Sequence, residues 1–359
     1  MLEAREKPLL TFAVAAFNQE RFIREAVEAA FAQTYSPLEI ILSDDCSEDL
    51  TFEIETKMAK AYTGPHKIIL NRNPKRRSIG GHVNRLMEIA SGELMVTAAG
   101  DDISMPARTE RIYEAWEFSE RKATSIHSEV IQIDETGNQM EHIFNSASRA
   151  TSALFTEQRT TPSEYVRTLE PLIFGCANSF SRPLYHKFGN LPEEVIHEDN
   201  ALPFRSVLGG SIYFIKEPLV KYRVHGNNLY IRSRGFRTDL KSLRRQEDRL
   251  KKDFKNREVM YAGFLLDLEK ARQLGLIDAP EFERAASEAR RMHRRLTLMG
   301  KFLESNLFAQ CRILLTLRRE GLSKPEVASL MRRLVPQPLL LRVRLARSYA
   351  GVLMQRQRA

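Results

Sequence analysis

The sequence lacks the features that mark a secreted, membrane-spanning or disordered protein. Only three of its 359 residues are cysteine, and Cys46, Cys176 and Cys311 form neither a C-x-x-C pair nor a disulfide framework. The N-terminal segment has no apolar core before a cleavage site, and no run approaches the roughly 18 apolar residues that span a bilayer. No low-complexity block indicates disorder. We therefore expect a globular protein of a reducing compartment, the cytoplasm.

Acidic residues outnumber basic ones in the first two thirds of the chain, and basic residues outnumber acidic ones in the last third. Residues 231–359 contain 30 Lys and Arg against 14 Asp and Glu, a formal charge of +16. Residues 1–230 contain 25 against 32, a formal charge of −7, and the two parts add to the +9 of the whole chain. We expect one domain at 1–230 and a basic, all-helical region at 231–359. Such an asymmetry bears on partners rather than on fold.

Short apolar runs alternate with helical patterns along the first 121 residues. The runs that predict buried strands lie at 9–14, 38–43, 67–70 and 93–98. Helical spacing occurs at 18–33, 49–62, 82–90 and 106–121. This alternation predicts an α/β fold with a mostly parallel sheet flanked by helices.

The pattern changes beyond residue 121. We expect two strands around a turn at 124–144, then a strand and a short helix after Phe174. Residues 210–225 predict two short strands that Pro218 separates. From about residue 236 onward the spacing is helical, with breaks at Gly275, Gly321 and Pro336.

Pairs of acidic residues follow two of the predicted strands. Asp44-Asp45 and Asp101-Asp102 end the strands at 38–43 and 93–98, and a third pair, Glu198-Asp199, precedes a helix-like stretch. A single pair is equally well explained as a turn or a helix cap. Ligands of open α/β sheets bind beyond the carboxyl ends of the strands, and Mg²⁺ or Mn²⁺ joins carboxylates to substrate phosphates. The three pairs together favour a metal-assisted diphosphate site.

Several stretches resemble the family 2 glycosyltransferases of the GT-A fold. They are "FAVAAFNQERFIREAVEAAFAQTYSPLEIILSDDCSEDLT", "GGHVNRLMEIASGELMVTAAGDDISMPAR", "HEDNALPFR" and "YRVHGNN". The resemblance covers residues 8–228 in order and none of the residues beyond 230. It implies inverting transfer of a sugar from a nucleotide diphosphate sugar, a UDP-sugar by preference, to a hydroxyl of a glycan or lipid-linked glycan. The implied setting is bacterial surface polysaccharide synthesis, such as lipopolysaccharide or capsule, with Mn²⁺ or Mg²⁺ as cofactor.

The resemblance also implies a role for particular residues. Nucleotide contacts fall on Ala15, Phe17, Asn18, Asp45 and Asp101, with Asp45 as the carboxylate that hydrogen-bonds the base. Metal contacts fall on Asp102 and His225, and the catalytic pair is Glu198 and Asp199, with Asp199 as the base. The chemistry independently requires a base for the acceptor hydroxyl and an electrophile for the leaving diphosphate.

Two positions depart from the family pattern, and two other classes of protein compete with it. Gly100 stands where many relatives carry the first carboxylate of an Asp-x-Asp motif, and Ala15 stands where they carry Thr or Ser. A nucleotidyltransferase of related fold would show a glycine-rich basic loop after the first strand, which "AVAAFNQERF" lacks. A non-catalytic scaffold is disfavoured by the intact set of Asp45, Asp102 and Asp199.

The basic region has three competing interpretations. It is a helical extension that packs on the catalytic domain or forms a homodimer, or it binds the anionic inner face of the plasma membrane as a peripheral element. Nucleic acid is the third candidate partner, but 231–359 contains no base-reading module or stacking-aromatic pattern. We therefore do not expect nucleic acid to be the partner.

Overall fold

The computed structural model describes residues 6–140, 153–226, 228, 240–323 and 330, with the side chains of 240–247 and 307 outside that description. Two compact units emerge from the contacts. The first comprises Met1–Ile231 and Gly263–Ala289, and the second comprises Arg232–Ala262 and Arg290–Ala359. The predicted domains, 1–230 and 231–359, stay a prediction. The contacts group one segment of the predicted basic region, Gly263–Ala289, with the first unit.

The first part of the chain alternates strands and helices as the sequence predicts. The strands are β1 (Leu10–Ala16), β2 (Leu38–Asp44), β3 (Lys67–Arg72), β4 (Leu94–Ala99) and the short β5 (Ile103–Ser104). The helices are α1 (Ile23–Phe31), α2 (Thr51–Ala61), α3 (Ile79–Ile89) and α4 (Arg108–Phe118). Strands β1 and β2 are buried almost throughout, which explains why they are continuous apolar runs.

The following part mixes short strands with short helices. Its strands are β6 (Ala123–Ile133), β7 (Phe155–Gln158), β8 (Asn178–Ser181) and β9 (Ser211–Arg223). Its helices are α5 (Pro162–Thr168), a 3-10 turn (Gly175–Ala177), α6 (Arg182–Phe188) and α7 (Glu198–Gly209). The first of the two strands predicted at 124–144 is β6. Part of the second predicted strand, residues 141–144, lies outside the described residues.

The prediction that Pro218 separates two strands is wrong. Strand β9 continues through it, and the parallel register with β6 jumps from Ser128 opposite Ile215 to Glu129 opposite Pro218. The jump leaves extra residues on β9 at this point, as in a β-bulge. A proline is tolerated at such an irregularity because the regular ladder hydrogen bonds are already interrupted there.

All nine strands of the described residues form one mixed sheet. Its order is β3-β2-β1-β4-β8-β6-β9-β5, and β7 pairs with β9. Strands β3, β2, β1 and β4 are parallel, whereas β8 is antiparallel to both of its neighbours and β6 is parallel to β9. The predicted α/β fold class is confirmed. Because β2 and β4 follow β1 on opposite sides, the strand order reverses at β1, where α/β sheets bind ligands.

The described C-terminal residues are helical, as predicted. They form α8 (Leu240–Gln273), α9 (Ala279–Glu304) and α10 (Leu307–Arg319). Gly275 and Gly321 follow α8 and α10 with φ of 67° and 85°, a backbone region that glycine enters without strain. The predicted break at Pro336 lies outside the described residues. None of the described helices is long and apolar enough to cross a membrane.

Helix α2 buries an acidic side chain against the end of β2. Glu55 is fully buried, and neither of its carboxyl oxygens has a hydrogen-bond partner among the described residues. Burial, and secondarily the neighbouring Asp44, raise the pKa of Glu55 from 4.5 to about 9. The folded chain therefore keeps a proton on Glu55 at neutral pH.

Stability should consequently fall as the pH rises between 4.5 and about 9. In this window the unfolded chain releases the Glu55 proton and the folded chain holds it, so the slope approaches about 1.4 kcal/mol per pH unit. Glu55→Gln mimics the protonated acid and should flatten the slope, making the variant the more stable protein at pH 8. Urea unfolding over a pH series measures this difference, and parallel curves for the two proteins would contradict it.

Candidate active site

The end of β1 joins the two acidic loops of neighbouring strands. Ala15 lies opposite Ser43 of β2 and Ala99 of β4 in the parallel register. The Gly100 amide donates to the Ala15 carbonyl at 3.0 Å, and the Asp45 amide donates to the Ala16 carbonyl at 2.9 Å. Both acidic pairs therefore emerge at the same edge of the sheet, on either side of β1.

Asp45 is held by a small cage of donors. Its side chain is buried, and its Oδ1 accepts from Asn73 Nδ2 at 2.7 Å and from the Arg77 amide at 2.9 Å. The Arg77 amide also lies 3.1 Å from Oδ2. Because an ionised carboxylate accepts about four hydrogen bonds, Oδ2 keeps capacity for an N–H group of a ligand.

Phe17 and Asn18 serve different purposes in the loop after β1. The Asn18 backbone is left-handed, with φ of 52°, and its amide donates to Ser47 Oγ at 2.8 Å. Its side-chain Oδ1 accepts from the Glu48 amide at 2.9 Å, so Asn18 links the loop after β1 to the loop after β2. The half-buried Phe17 ring lies 3.9 Å from the guanidinium of Arg76. A guanidinium over a ring is a flat surface of the kind on which a base stacks.

The second acidic pair lies beside the end of β9. Asp102 is buried, and its Oδ1 accepts from the Arg223 amide at 2.8 Å. Burial, and then the charge of Asp101, raise the pKa of Asp102 to about 8. Asp101 Oδ2 lies 2.9 Å from His225 Nε2, and the His225 ring packs on Phe22 at 5.0 Å between centroids. Two residues predicted for the metal and one for the nucleotide thus form one cluster.

The donor set of this cluster suits a hard divalent cation. Carboxylates are the ligands that Mg²⁺ and Mn²⁺ prefer, and a bound cation would favour the ionised form of Asp102. Within the described ranges, no three His, Cys, Asp or Glu side chains are arranged to hold a metal by themselves. A cation at Asp101 and Asp102 therefore needs further oxygen ligands, as it receives when it is shared with a diphosphate.

The turn Gly175–Ala177 joins this cluster to the third acidic pair. Thr97 Oγ1 of β4 donates to the Gly175 carbonyl, and burial and then the neighbouring Asp102 raise the pKa of the Cys176 thiol well above its ordinary value. On its other side, Gly175 is so close to Glu198 that an added Cβ would collide with Glu198 Oε1 and lie 3.6 Å from Asp199 Cβ. A side chain at position 175 would therefore displace the carboxyl group of Glu198.

Glu198 and Asp199 open α7. Burial, and then the charge of Asp199, raise the pKa of Glu198 well above its ordinary value, so Glu198 keeps its proton. Asp199 is half-buried, and its Oδ1 accepts from Asn200 Nδ2 at 3.0 Å. The pKa of Tyr222 is raised by its burial and then by Cys176, Asp102, Asp101 and Asp199, so one phenol is near both acidic pairs.

Sequence reasoning missed four residues that support the site. They are Arg108, Cys176, Tyr222 and Arg223. Arg108 is fully buried and donates to the carbonyls of Thr97 and Asn178 at 2.7 and 3.1 Å. Arg223 donates from Nε to the Asp101 carbonyl at 2.9 Å and pairs with Glu25 at 3.0 Å. Both arginines lie inside stretches that carry the family resemblance, whereas nothing in the sequence marks Cys176.

The fold is that of the GT-A class of glycosyltransferases, and its acidic site lies at the switch point of the sheet. Comparison with family models then gives the particular family. Residues 11–185, just under half of the chain, match the model described as glycosyl transferase family 2.

Individual relatives agree with the family. The chain is 33% identical over 104 residues to "Putative glycosyltransferase EpsE" of Bacillus subtilis, covering 29% of this chain and 37% of that one. It is 26% identical over 219 residues to an "Uncharacterized glycosyltransferase" of Rickettsia bellii, covering 61% and 30%. This chain thus spans about a third of the length of these two curated relatives. S. aureus TarS 1-349, solved with UDP-GlcNAc, superposes with a TM-score of 0.58 at 17% identity, covering 93% of this chain and 87% of that one.

Gly100 has no room for the carboxylate that many relatives carry there. An added Cβ would lie 2.6 Å from Gln19 Oε1, 2.9 Å from Ile23 Cδ1 and 3.0 Å from Ala16 Cβ. Gly100→Asp should therefore lower the free energy of unfolding by about 1–3 kcal/mol and should not strengthen Mn²⁺ binding. Urea unfolding and metal titration measure the two effects, with Gly100→Ala as the control for the Cβ alone. An unchanged stability together with tighter Mn²⁺ binding would contradict this.

Proposed function

We propose that the protein is a glycosyltransferase that moves a sugar from a nucleotide diphosphate sugar to a hydroxyl of a glycan or lipid-linked glycan. The observation that carries the proposal is the turn Gly175–Ala177, which is bonded to the end of β4 through Thr97, lies against Glu198, and contains Cys176, whose pKa the nearby Asp102 raises. It brings a carboxylate pair suited to a metal-bound diphosphate next to a pair suited to proton transfer. Departure of the diphosphate requires the first pair, and deprotonation of the acceptor hydroxyl requires the second.

Each half has its own residues in this proposal. Asp45 receives an N–H group of the base, and Phe17 and Arg76 offer it a stacking surface. Asp101, Asp102 and His225 lie where Mn²⁺ or Mg²⁺ would be held, with the diphosphate of the donor as a further source of oxygen ligands. When bound, that cation neutralises the charge that develops on the leaving diphosphate. Asp199 accepts the proton of the acceptor hydroxyl, while Glu198 stays protonated beside it and so does not compete as a base.

We favour inversion of configuration and a UDP-sugar donor. An inverting transfer needs a carboxylate base separate from the residues that hold the leaving group, and the chain has such a separate pair at Glu198 and Asp199. The similar fold of TarS, whose structure contains UDP-GlcNAc, makes UDP the first nucleotide to test. The proposed setting is surface polysaccharide synthesis in the cytoplasm, and the three free cysteines suit that reducing compartment.

A panel of nucleotides tests the proposal against its alternatives. Thermal unfolding of the full chain is measured with UDP, GDP, dTDP and CMP, and with the nucleoside triphosphates UTP, GTP, dTTP and CTP, each with and without Mn²⁺. We expect UDP to give the largest increase in melting temperature, and only when Mn²⁺ is present, because ligands that bind the folded state stabilise it. Stabilisation by nucleoside triphosphates instead would favour a nucleotidyltransferase. No metal-dependent stabilisation by any nucleotide would overturn the proposal and favour a scaffold.

A further inference from the structure

One face of α10 exposes large apolar side chains. Phe308 is 75% exposed, the highest value for a large apolar side chain in the described part of the chain, and Leu315 is 64% exposed. The exposed Cys311 lies between them. Residues 308, 311, 312, 315 and 319 follow one another at helical spacing, so they form a single stripe along the helix. We call this stripe the outer face of α10.

The opposite face of α10 is already used for packing. Leu314 and Leu317 are buried in a cluster with Phe302, Leu322 and Leu330. Helix α10 therefore packs into the hydrophobic core through Leu314 and Leu317, and the outer face takes no part in that packing. Isolated exposed apolar residues are common on protein surfaces, but here they are grouped on one stripe of a helix whose inner face is satisfied.

The outer face is also positively charged. Helix α10 contains Arg312, Arg318 and Arg319, all exposed, and no acidic residue between Leu307 and Arg319. Arg312 lines the same shallow groove as Phe308, Ala309, Ile313 and Thr316. Apolar side chains and arginines thus occupy one continuous surface.

We propose that the outer face of α10 binds an anionic lipid surface, with Phe308 and Leu315 inserted at the headgroup level and the arginines on lipid phosphates. Amphipathic helices that combine a basic and an apolar surface lie in the membrane interface in this way. Charge decides between this occupant and a second copy of the chain, because pairing two outer faces would bring Arg312 and Arg319 of one copy against the same two arginines of the other. This inference does not depend on the sugar-transfer reaction.

Vesicle sedimentation of the full chain tests the proposal. The wild type should sediment with vesicles that contain phosphatidylglycerol and remain in solution with vesicles of phosphatidylcholine alone. Phe308→Ser combined with Leu315→Ser should weaken binding by about tenfold or more, since burial of each side chain is lost. Arg312→Gln should weaken it by about fivefold, because each basic residue near the surface contributes about 1 kcal/mol. High salt should abolish the preference for the anionic lipid.

Matched variants distinguish the outer face from general properties of the chain. Leu266 has the same 64% exposure as Leu315, so Leu266→Ser removes an equally exposed leucine elsewhere. Arg159→Gln changes the net charge by the same amount at a side chain that is 86% exposed. Both controls should bind vesicles as the wild type does, and melting temperatures should show that all variants are folded.

Three results would overturn the proposal. The first is equal binding to the two kinds of vesicle, or binding to neither. The second is unchanged binding by the double serine variant. The third is a wild type that self-associates without lipid and becomes monomeric in the double serine variant, because the outer face would then be a protein interface.

Discussion

Replacing Asp199 by Asn should lower kcat for sugar transfer by about 10²-fold or more. The amide has the size of the carboxylate but cannot accept a proton from the acceptor hydroxyl. Asp199 lies at the start of α7, on the far side of the Gly175–Ala177 turn from Asp102, so the nucleotide's affinity should change little. Release of nucleoside diphosphate from the donor sugar in the presence of acceptor measures kcat, and calorimetry measures the affinity.

A neighbouring acid provides the control for this substitution. Glu194 is exposed and lies five positions before Asp199 in the chain. Glu194→Gln removes the same charge and should leave both kcat and nucleotide affinity near the wild-type values. If Asp199→Asn weakens nucleotide binding as much as it lowers kcat, Asp199 is a binding residue and the assignment of the base is wrong.

Replacing Arg205 by Met should lower the free energy of unfolding by about 3–5 kcal/mol. Arg205 is buried in α7, and its Nε lies 3.0 Å from Oδ2 of the buried Asp267 in α8. Its Nη1 also donates to the Gly189 carbonyl at 2.6 Å. Burial raises the pKa of Asp267 even though Arg205 opposes the shift, so loss of Arg205 leaves a carboxylate that is costly to ionise. Urea unfolding measures the loss.

A double variant distinguishes the lost ion pair from lost packing. Arg205→Met combined with Asp267→Leu removes both charges and should recover most of the stability, because apolar replacement of a buried ion pair is nearly neutral. A double variant as unstable as Arg205→Met would show that packing, and not the unpaired carboxylate, dominates. The same helix begins with Glu198 and Asp199, so Arg205→Met should also reduce kcat through displacement of α7.

The centre of the sheet was predictable because β1 and β2 are buried on both faces. Strands β1 and β2 consist of apolar runs with helical segments between them, and this pattern depends on local sequence alone. The path of β9 was not predictable in the same way. Pro218 ends a strand by local rules, and only the irregular pairing with β6 allows β9 to continue.

The candidate site was predictable only where its residues lie at strand ends. Asp45 and Asp101 follow buried strands, so topology brings them to one edge of the sheet. The contact of Asp101 with His225 joins residues 124 positions apart, and only the family resemblance pointed to it. Tyr222 was marked only by its place in the stretch YRVHGNN, and Cys176 had no signal, because a thiol in a short turn looks ordinary until the chain is folded.

Titration of UDP into the full chain, with Mn²⁺ and then with EDTA, tests the central claim most directly. We expect Mn²⁺ to strengthen UDP binding by about tenfold or more, because a cation would offset the negative charge of a diphosphate next to Asp101 and Asp102. Asp102→Asn should remove most of this metal dependence. Equal affinity for UDP with Mn²⁺ and with EDTA in the wild type, or full metal dependence in Asp102→Asn, would contradict the account.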